Sequence, residues 1–236
     1  MEIELFEGST IAKISKDGGY VTNLADSNGD IFFPKRTLRT PSGEQKVRGG
    51  SHICVPNFGP GGDSGQPQHG FARLDAWQVV SQTDSEVTLS LTGRDAYEGV
   101  ELQLTYAVGA TSLVSTLKIS NPTDRTVVVA PAFHPYFMTS DDVELNGVMQ
   151  PDLADYNEAV FKGGTKHILR TNGRLITLLS TSLATGAVWT DQLAPYICVE
   201  PTQSGFSFEE DTNRADSLAP GEARTYDFVI DWIIAP

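Results

Sequence analysis

Residues 76–121 read AWQVVSQTDSEVTLSLTGRDAYEGVELQLTYAVGATSLVSTLKISN. Four β-rich segments follow one another here at close to ten-residue spacing: AWQVVSQTD, SEVTLSLTG, VELQLTYAVG and SLVSTLKISN. Val87, Leu89 and Leu91 alternate with Thr88 and Ser90, while Leu102, Leu104 and Tyr106 alternate with Gln103 and Thr105. A period of two puts one face of each strand in a core and the other against water. Residues 76–120 are therefore expected to form one antiparallel sheet.

The same pattern extends outward in both directions. Residues 1–33 read as a β-meander, broken by turn signals at Asp17-Gly18-Gly19 and Ser27-Asn28-Gly29-Asp30. Toward the C-terminus, Val127-Val128-Val129 predicts a strand buried on both faces, and strands are expected at 167–171, 174–181 and 186–191. PYICVEPT (195–202) reads as a central strand and RTYDFVIDWIIA (224–235) as the closing one. One short helix is expected around Leu153 to Val160. There is no internal repeat, heptad or low-complexity run. Many short strands with almost no helix give an all-β chain, a sandwich or barrel. At 236 residues, with no linker and no break in composition, residues 1–236 are expected to form a single domain.

One stretch does not follow the strand pattern. RGGSHICVPNFGPGGDSGQPQHGFARLDAW, residues 48–77, holds paired glycines, two histidines and two arginines, and is too rich in Gly and Pro for a regular element. Ile53, Val55, Phe58, Phe71 and Trp77 would anchor it, which predicts a shaped functional loop. The net charge of −13 speaks against wrapping nucleic acid or docking on an anionic membrane, since both need basic faces. Lys35, Arg36, Arg39, Lys46 and Arg48 nevertheless concentrate five of the seventeen basic residues within fourteen positions. That patch suits either a small anion or plain solvent. Two cysteines, Cys54 and Cys198, make no disulfide framework. The opening MEIELFEG lacks the features of a signal peptide, and no apolar run approaches the ~18 residues of a membrane span. A cytoplasmic, reduced protein is expected.

Three segments in order carry a resemblance: RGGSHICVPNFGP leading to QHGFARLDAW, then AFHPYF at 132–137, then CVEP at 198–201, with Pro220-Gly221-Glu222 before the last strand. Together they resemble the aldose 1-epimerase superfamily, and within it they are most similar to the glucose-6-phosphate 1-epimerases, or hexose-6-phosphate mutarotases. The chain is shorter than that family's pattern between Phe137 and Lys162. The resemblance implies a β-supersandwich of stacked antiparallel sheets with the sugar in an open cleft on a concave face, and no cofactor. The implied activity is interconversion of the α and β anomers of an aldose, a hexose 6-phosphate in the first instance. The expected partner is a small sugar or sugar phosphate, bound by a monomer.

That chemistry needs one group to take the C1 hydroxyl proton and one to protonate the ring oxygen. Each transfer is worth roughly 10²–10⁴-fold. Alternation along PYICVEP puts Tyr196, Cys198 and Glu200 on one face and Ile197 and Val199 on the other. A carboxylate on an apolar central strand has a raised pKa, so with the resemblance Glu200 is the expected base; by residues alone, a surface glutamate at a strand end before proline fits better. His134 shares a face with Val128, Ala130 and Ala132, whose small side chains leave room for a ligand. It is the expected acid, kept protonated by a modest upward shift. His69 matches the family's other histidine, to bind a ring or C1 oxygen or assist ring-oxygen protonation, or else to tie down its loop. Arg48 and Arg73 match arginines of the phosphosugar branch and would fork onto a phosphate. Gln68 would contact sugar or phosphate. Asp75 and Asp155 are weaker candidates for sugar hydroxyls, and Phe58, Phe71, Tyr136 and Phe137 for stacking. His52 has no assigned role, and His167 is expected at the surface.

Two readings of other classes remain open. His52, His69, His134 and Glu200 offer three imidazoles and a carboxylate to a metal, although the cupin spacing of His-x-His closely followed by Glu is absent. No metal is expected. Alternatively the sandwich binds or senses a carbohydrate without catalysis, or the mutarotase acts on unphosphorylated aldoses.

Overall fold

The computed structural model describes residues 2–140, 142–150, 152–210 and 214–235. Two nine-stranded antiparallel sheets dominate the described residues. The first runs Glu2–Glu7, Thr10–Ser15, Tyr20–Asp26, Ser51–Cys54, Ala132–Met138, Tyr196–Thr202, Thr185–Trp189 and Val160–Gly163, with Gly29–Asp30 paired to Tyr20–Asp26. The second runs Val148–Met149, Glu144–Leu145, Lys166–Thr171, Arg174–Leu179, Ala223–Ile234, Ser112–Ser120, Glu101–Gly109, Glu86–Thr92 and Gln78–Gln82. Residues 76–120 thus supply four consecutive strands of one sheet, as their alternation predicts. Residues 2–26 form the expected meander.

Period-two patterning decides which faces meet. Leu102, Leu104, Tyr106 and Val108 point inward from Glu101–Gly109, whereas Glu101 and Gln103 point out. From the first sheet, Leu5, Ile14, Ile53, Phe133, Ile197 and Val199 enter the same apolar cluster as Leu104, Leu117 and Phe228 of the second. The Phe133 and Phe228 rings meet 5.6 Å apart across the interface. Each such buried side chain contributes roughly 1.5–3 kcal/mol. This packing consumes one face of the first sheet and leaves its other face free to line a cleft.

Several expectations need correction. Val127–Val129 is not a doubly buried central strand; it pairs with Asp216–Leu218 in a separate two-stranded ribbon, with Val128 half-exposed. Ser51–Cys54, inside the stretch read as loop, is a fully buried strand of the first sheet; at four residues, between Gly50 and Val55-Pro56, it is too short to show a period. The helix expected around Leu153–Val160 is a single 3₁₀ turn, Leu153–Tyr156, and Val160 already starts a strand. Ala223–Ile234 closes the chain as expected, and it is central in its sheet, between Arg174–Leu179 and Ser112–Ser120. His167 is buried rather than at the surface, with Asn146 Nδ2 3.1 Å from its Nδ1. No helix among the described residues is long and apolar enough to cross a membrane.

Candidate active site

Strand register builds the site. Ala132 faces Thr202 and Tyr136 faces Cys198, so His134 lies opposite Glu200 on the adjacent strand. His134 in turn pairs with His52 of Ser51–Cys54. His52, His134 and Glu200 therefore form a row across three neighbouring strands. Their sequence neighbours Ile53, Phe133 and Val199 face the inter-sheet core, so alternation turns the polar row to the opposite face. A cleft of about 520 Å³ opens over it, large enough for a monosaccharide. Glu200, His134, His69, Arg48, Gln68 and Arg73 all line this cleft.

At its floor His134 Nε2 lies 3.3 Å from Glu200 Oε2, and both side chains are almost fully buried. Burial pushes the Glu200 carboxyl well above the usual carboxylate range. Burial, reinforced by His69, Arg73 and Arg48, pushes His134 well below the ordinary imidazole value. The upward shift expected of His134 is thus reversed, because a ring removed from water and facing two arginines resists taking on a positive charge of its own. These opposite shifts favour the neutral pair, with the proton on the carboxyl side. His134 stacks between His52 (4.6 Å) and Tyr136 (4.8 Å), which fixes its plane.

The 48–77 stretch brings His69 edge-on to His134 at 5.0 Å. His69 adopts a left-handed backbone conformation, φ 61°, sparsely populated by side-chain-bearing residues. Gly70 follows at φ 71°, where a Cβ would sit 1.9 Å from the Val55 carbonyl oxygen, so only glycine fits. The Gly59 N–H donates to His69 Nδ1 at 3.2 Å, so the neutral ring carries its proton on Nε2, and the Gln68 side-chain amide beside Nε2 must turn its oxygen to accept from it. Burial, with Arg73 and Arg48, pushes His69 down to about 3. His69 is hence a neutral hydrogen-bonding group near pH 7.

The two arginines differ. Arg48 Nε donates to Asp191 at 2.8 Å, and its guanidinium stands 5.4 Å from the Trp189 ring centroid. Arg73 donates from Nε and Nη2 to the Gln68 carbonyl at 3.2 and 3.0 Å and has no carboxylate within 4.0 Å among the described residues. Gln68 Nε2 lies 3.3 Å from His69 Nε2.

The weaker candidates divide. Phe58 and Tyr136 line the cleft, whereas Phe71 and Phe137 belong to the inter-sheet core. Asp75 is turned to Arg94 at 2.8 Å, and Asp155, in the 3₁₀ turn, does not line the cleft. Tyr20, Trp189, Phe206, Asn157 and Glu158 line it without having been singled out by sequence. They come from four separate segments, and only the fold joins them. Asp191, which tethers Arg48, carries no local signal at all. The metal-type grouping among the described residues differs from the four residues considered above: His134, Cys198 and Glu200 offer ligand atoms within 4.8 Å of one another, and His52 and His69 do not belong to it.

Comparison with known proteins follows the same lines. The family model described as aldose 1-epimerase matches residues 2–216. A provisionally named glucose-6-phosphate 1-epimerase of Cenchrus ciliaris is 30% identical over 165 residues, 61% of this chain and 49% of its own. The chain thus spans about half the length of that curated relative. Among solved structures, a galactose mutarotase-like protein from Lactobacillus casei superposes with a TM-score of 0.84 at 17% identity, covering 99% of this chain and 100% of the other. A provisionally named aldose 1-epimerase from Escherichia coli K12 gives 0.79 at 18% identity, covering 99% of each chain. These two likenesses fix the fold as a galactose mutarotase-like β-sandwich.

Proposed function

The chain belongs to the aldose 1-epimerase family, and from that premise and the geometry of the cleft we propose that it is a mutarotase acting through Glu200 and His134, with residues 1–236 working as one domain. The observation that carries the reading is the buried pair, 3.3 Å apart, at the floor of a sugar-sized cleft. Opening a pyranose removes one proton from O1 and delivers one to O5, so the catalyst must hold one proton and one vacancy. Opposite shifts of the two groups bring the carboxyl and imidazole toward a common proton affinity, which suits exchange in both directions. Sugar hydroxyls entering the cleft supply the hydrogen bonds that stabilise carboxylate and imidazolium. Glu200 then takes the C1 hydroxyl proton as His134 protonates the ring oxygen. Rotation about C1–C2 presents the other aldehyde face, and reversal of both transfers closes the ring as the opposite anomer.

His69 contributes a fixed neutral N–H to a ring or C1 oxygen rather than a mobile proton. Gln68 adds an amide beside it. The substrate proposed is a hexose 6-phosphate, supported by two guanidinium groups at the cleft of a protein whose net charge is −13. A close bidentate contact is screened far less than that distant field. The test is NMR exchange or polarimetry with glucose 6-phosphate, glucose and galactose, each against its spontaneous rate. Acceleration abolished by Glu200→Gln supports the reading. Saturable binding of sugar without acceleration would make the protein a carbohydrate-binding module instead.

A further inference from the structure

His52 is the one imidazole in the cleft to which no part of the acid–base reading gives work. It is 2% exposed, it lines the cleft, and neither Nδ1 nor Nε2 has a hydrogen-bond partner among the described residues. Its ring lies between those of Tyr20 (4.9 Å) and His134 (4.6 Å), with His69 edge-on at 5.9 Å. Stacking fixes the plane of the ring but satisfies neither nitrogen. A buried donor or acceptor left unpaired costs about 1–3 kcal/mol, so a position that keeps two of them calls for a partner from outside the chain.

The row across the sheet says which part of a sugar that partner is. Strands stand about 4.8 Å apart, so Glu200, His134 and His52 sample three successive points along one line. In an aldopyranose the ring oxygen sits between C1, which bears O1, and C5, which bears the exocyclic C6. With O1 at Glu200 and O5 at His134, C6 and its oxygen extend away from Glu200, toward His52. The positive charges that act on His52 from outside the histidine cluster are Arg73, at the cleft, and Lys35. We propose that His52 is a specificity-determining residue that hydrogen-bonds the oxygen carried on C6 of the substrate, the ester oxygen or a phosphate oxygen of a 6-phosphosugar and the free hydroxyl of a hexose. The proposal rests on the mutarotase reading and adds an orientation to it.

The experiment compares His52→Phe, which keeps a stacked ring without nitrogens, and His52→Gln, which restores a donor and an acceptor, on three substrates: glucose 6-phosphate, glucose and 6-deoxyglucose. Anomer exchange is followed by NMR, with kcat and KM separated. His52→Phe should raise KM about tenfold for glucose 6-phosphate and about threefold for glucose, and leave 6-deoxyglucose unchanged, with kcat retained throughout. His52→Gln should recover part of the KM loss while lowering kcat on all three sugars alike, since it removes the ring stacked on His134. Equal losses on all three sugars in His52→Phe would overturn the proposal in favour of a purely structural ring, and a loss confined to kcat in that variant would do the same in favour of a role beside His134. Should the variants prove unstable, the ¹⁵N resonances of the wild-type His52 ring decide the matter: they should shift with glucose 6-phosphate and not with 6-deoxyglucose, and identical responses would sink the assignment. If wild type accelerates none of the three sugars, the mutarotase reading itself fails, which is a different result.

Discussion

Asp26 and Arg174 bridge the two sheets with nearly all of their side-chain surface buried, and their polar atoms are used. Arg174 donates from Nη2 to Asp26 Oδ1 at 2.5 Å and to the Gly29 carbonyl at 3.0 Å, and from Nη1 to the Asn172 carbonyl at 3.3 Å. Trp232 Nε1 reaches Asp26 Oδ2 at 3.0 Å. Burial alone would raise the Asp26 carboxyl, but these donors and the Asn28 N–H hold it below its ordinary value. The row over the cleft, equally buried, is left open: His52, His134 and Glu200 all keep polar atoms without an aligned hydrogen bond. A structural cluster closes on itself and stays charged. The cleft cluster stays unsatisfied and near neutral, as a site must if its partners arrive with a ligand.

The largest effect should come from the open cluster. Glu200→Gln keeps shape and removes the proton acceptor, so kcat for mutarotation should fall by about 10²–10⁴-fold while thermal stability holds or rises. If more than about a tenth of kcat survives, the residue is no general base. The closed cluster should answer in the opposite currency. Asp26→Asn strands the buried Arg174 charge and should cost about 3–5 kcal/mol of unfolding free energy in a denaturant titration, with kcat of the folded fraction unchanged. Lost activity without lost stability in that variant would erase the distinction between the two clusters.

A smaller effect should separate the arginines. Among the described residues Arg73 has no carboxylate to leave, whereas Arg48 must share its charge with Asp191. Arg73→Ala should raise KM for glucose 6-phosphate by about one to two orders of magnitude, corresponding to roughly 1.5–3 kcal/mol for a charged hydrogen bond. Arg48→Ala should raise it by less, and glucose should be little affected by either. Equal damage to both sugars would assign the arginines to the pyranose or the loop, and the substrate to unphosphorylated aldoses.

How far the sequence revealed these arrangements depended on whether the signal was local. Alternation within Glu86–Thr92, within Glu101–Gly109 and within Tyr196–Thr202 is in each case a property of one strand, so the core face and the face bearing Glu200 could be read directly. Sheet order is not local. Nothing in Ser51–Cys54 announces that it sits beside Ala132–Met138, so the pairing of His52 with His134 was hidden, and with it the significance of His52. Val127–Val129 misled because three consecutive valines look doubly buried, yet the chain leaves that short ribbon before joining the first sheet at Ala132. His167 lies in phase with the buried Leu169 and Thr171, so alternation was there to be read, but a polar ring next to a lysine reads as surface until its Asn146 partner is known. The His134 shift went the wrong way because its sign is set by burial and by Arg48 and Arg73, which reach it only through the fold.

The smallest effect is a slope. In the folded protein His52, His69 and His134 all ionise less readily than the ordinary value of 6.5, chiefly because burial opposes the charge. Below pH 6.5 the unfolded chain therefore binds more protons than the native one, and stability is lost as pH falls; for His69 that window runs from 6.5 down to about 3. Glu200 works in the opposite sense: its raised value gives stability that is complete at low pH and is lost as pH rises through the folded value. Asp26, held low, loses stability at acid pH too, but in the carboxylate range below the histidines. Between pH 6 and 5 the histidines should thus dominate, each adding up to about 1.4 kcal/mol per pH unit. His52→Phe removes one of the three rings and should flatten the unfolding free energy across that interval by about 1 kcal/mol, measured by urea titrations at the two pH values. An unchanged slope would mean that His52 is already solvated or paired in the native state, and the contrast between an open cleft cluster and a closed inter-sheet one would lose its central residue.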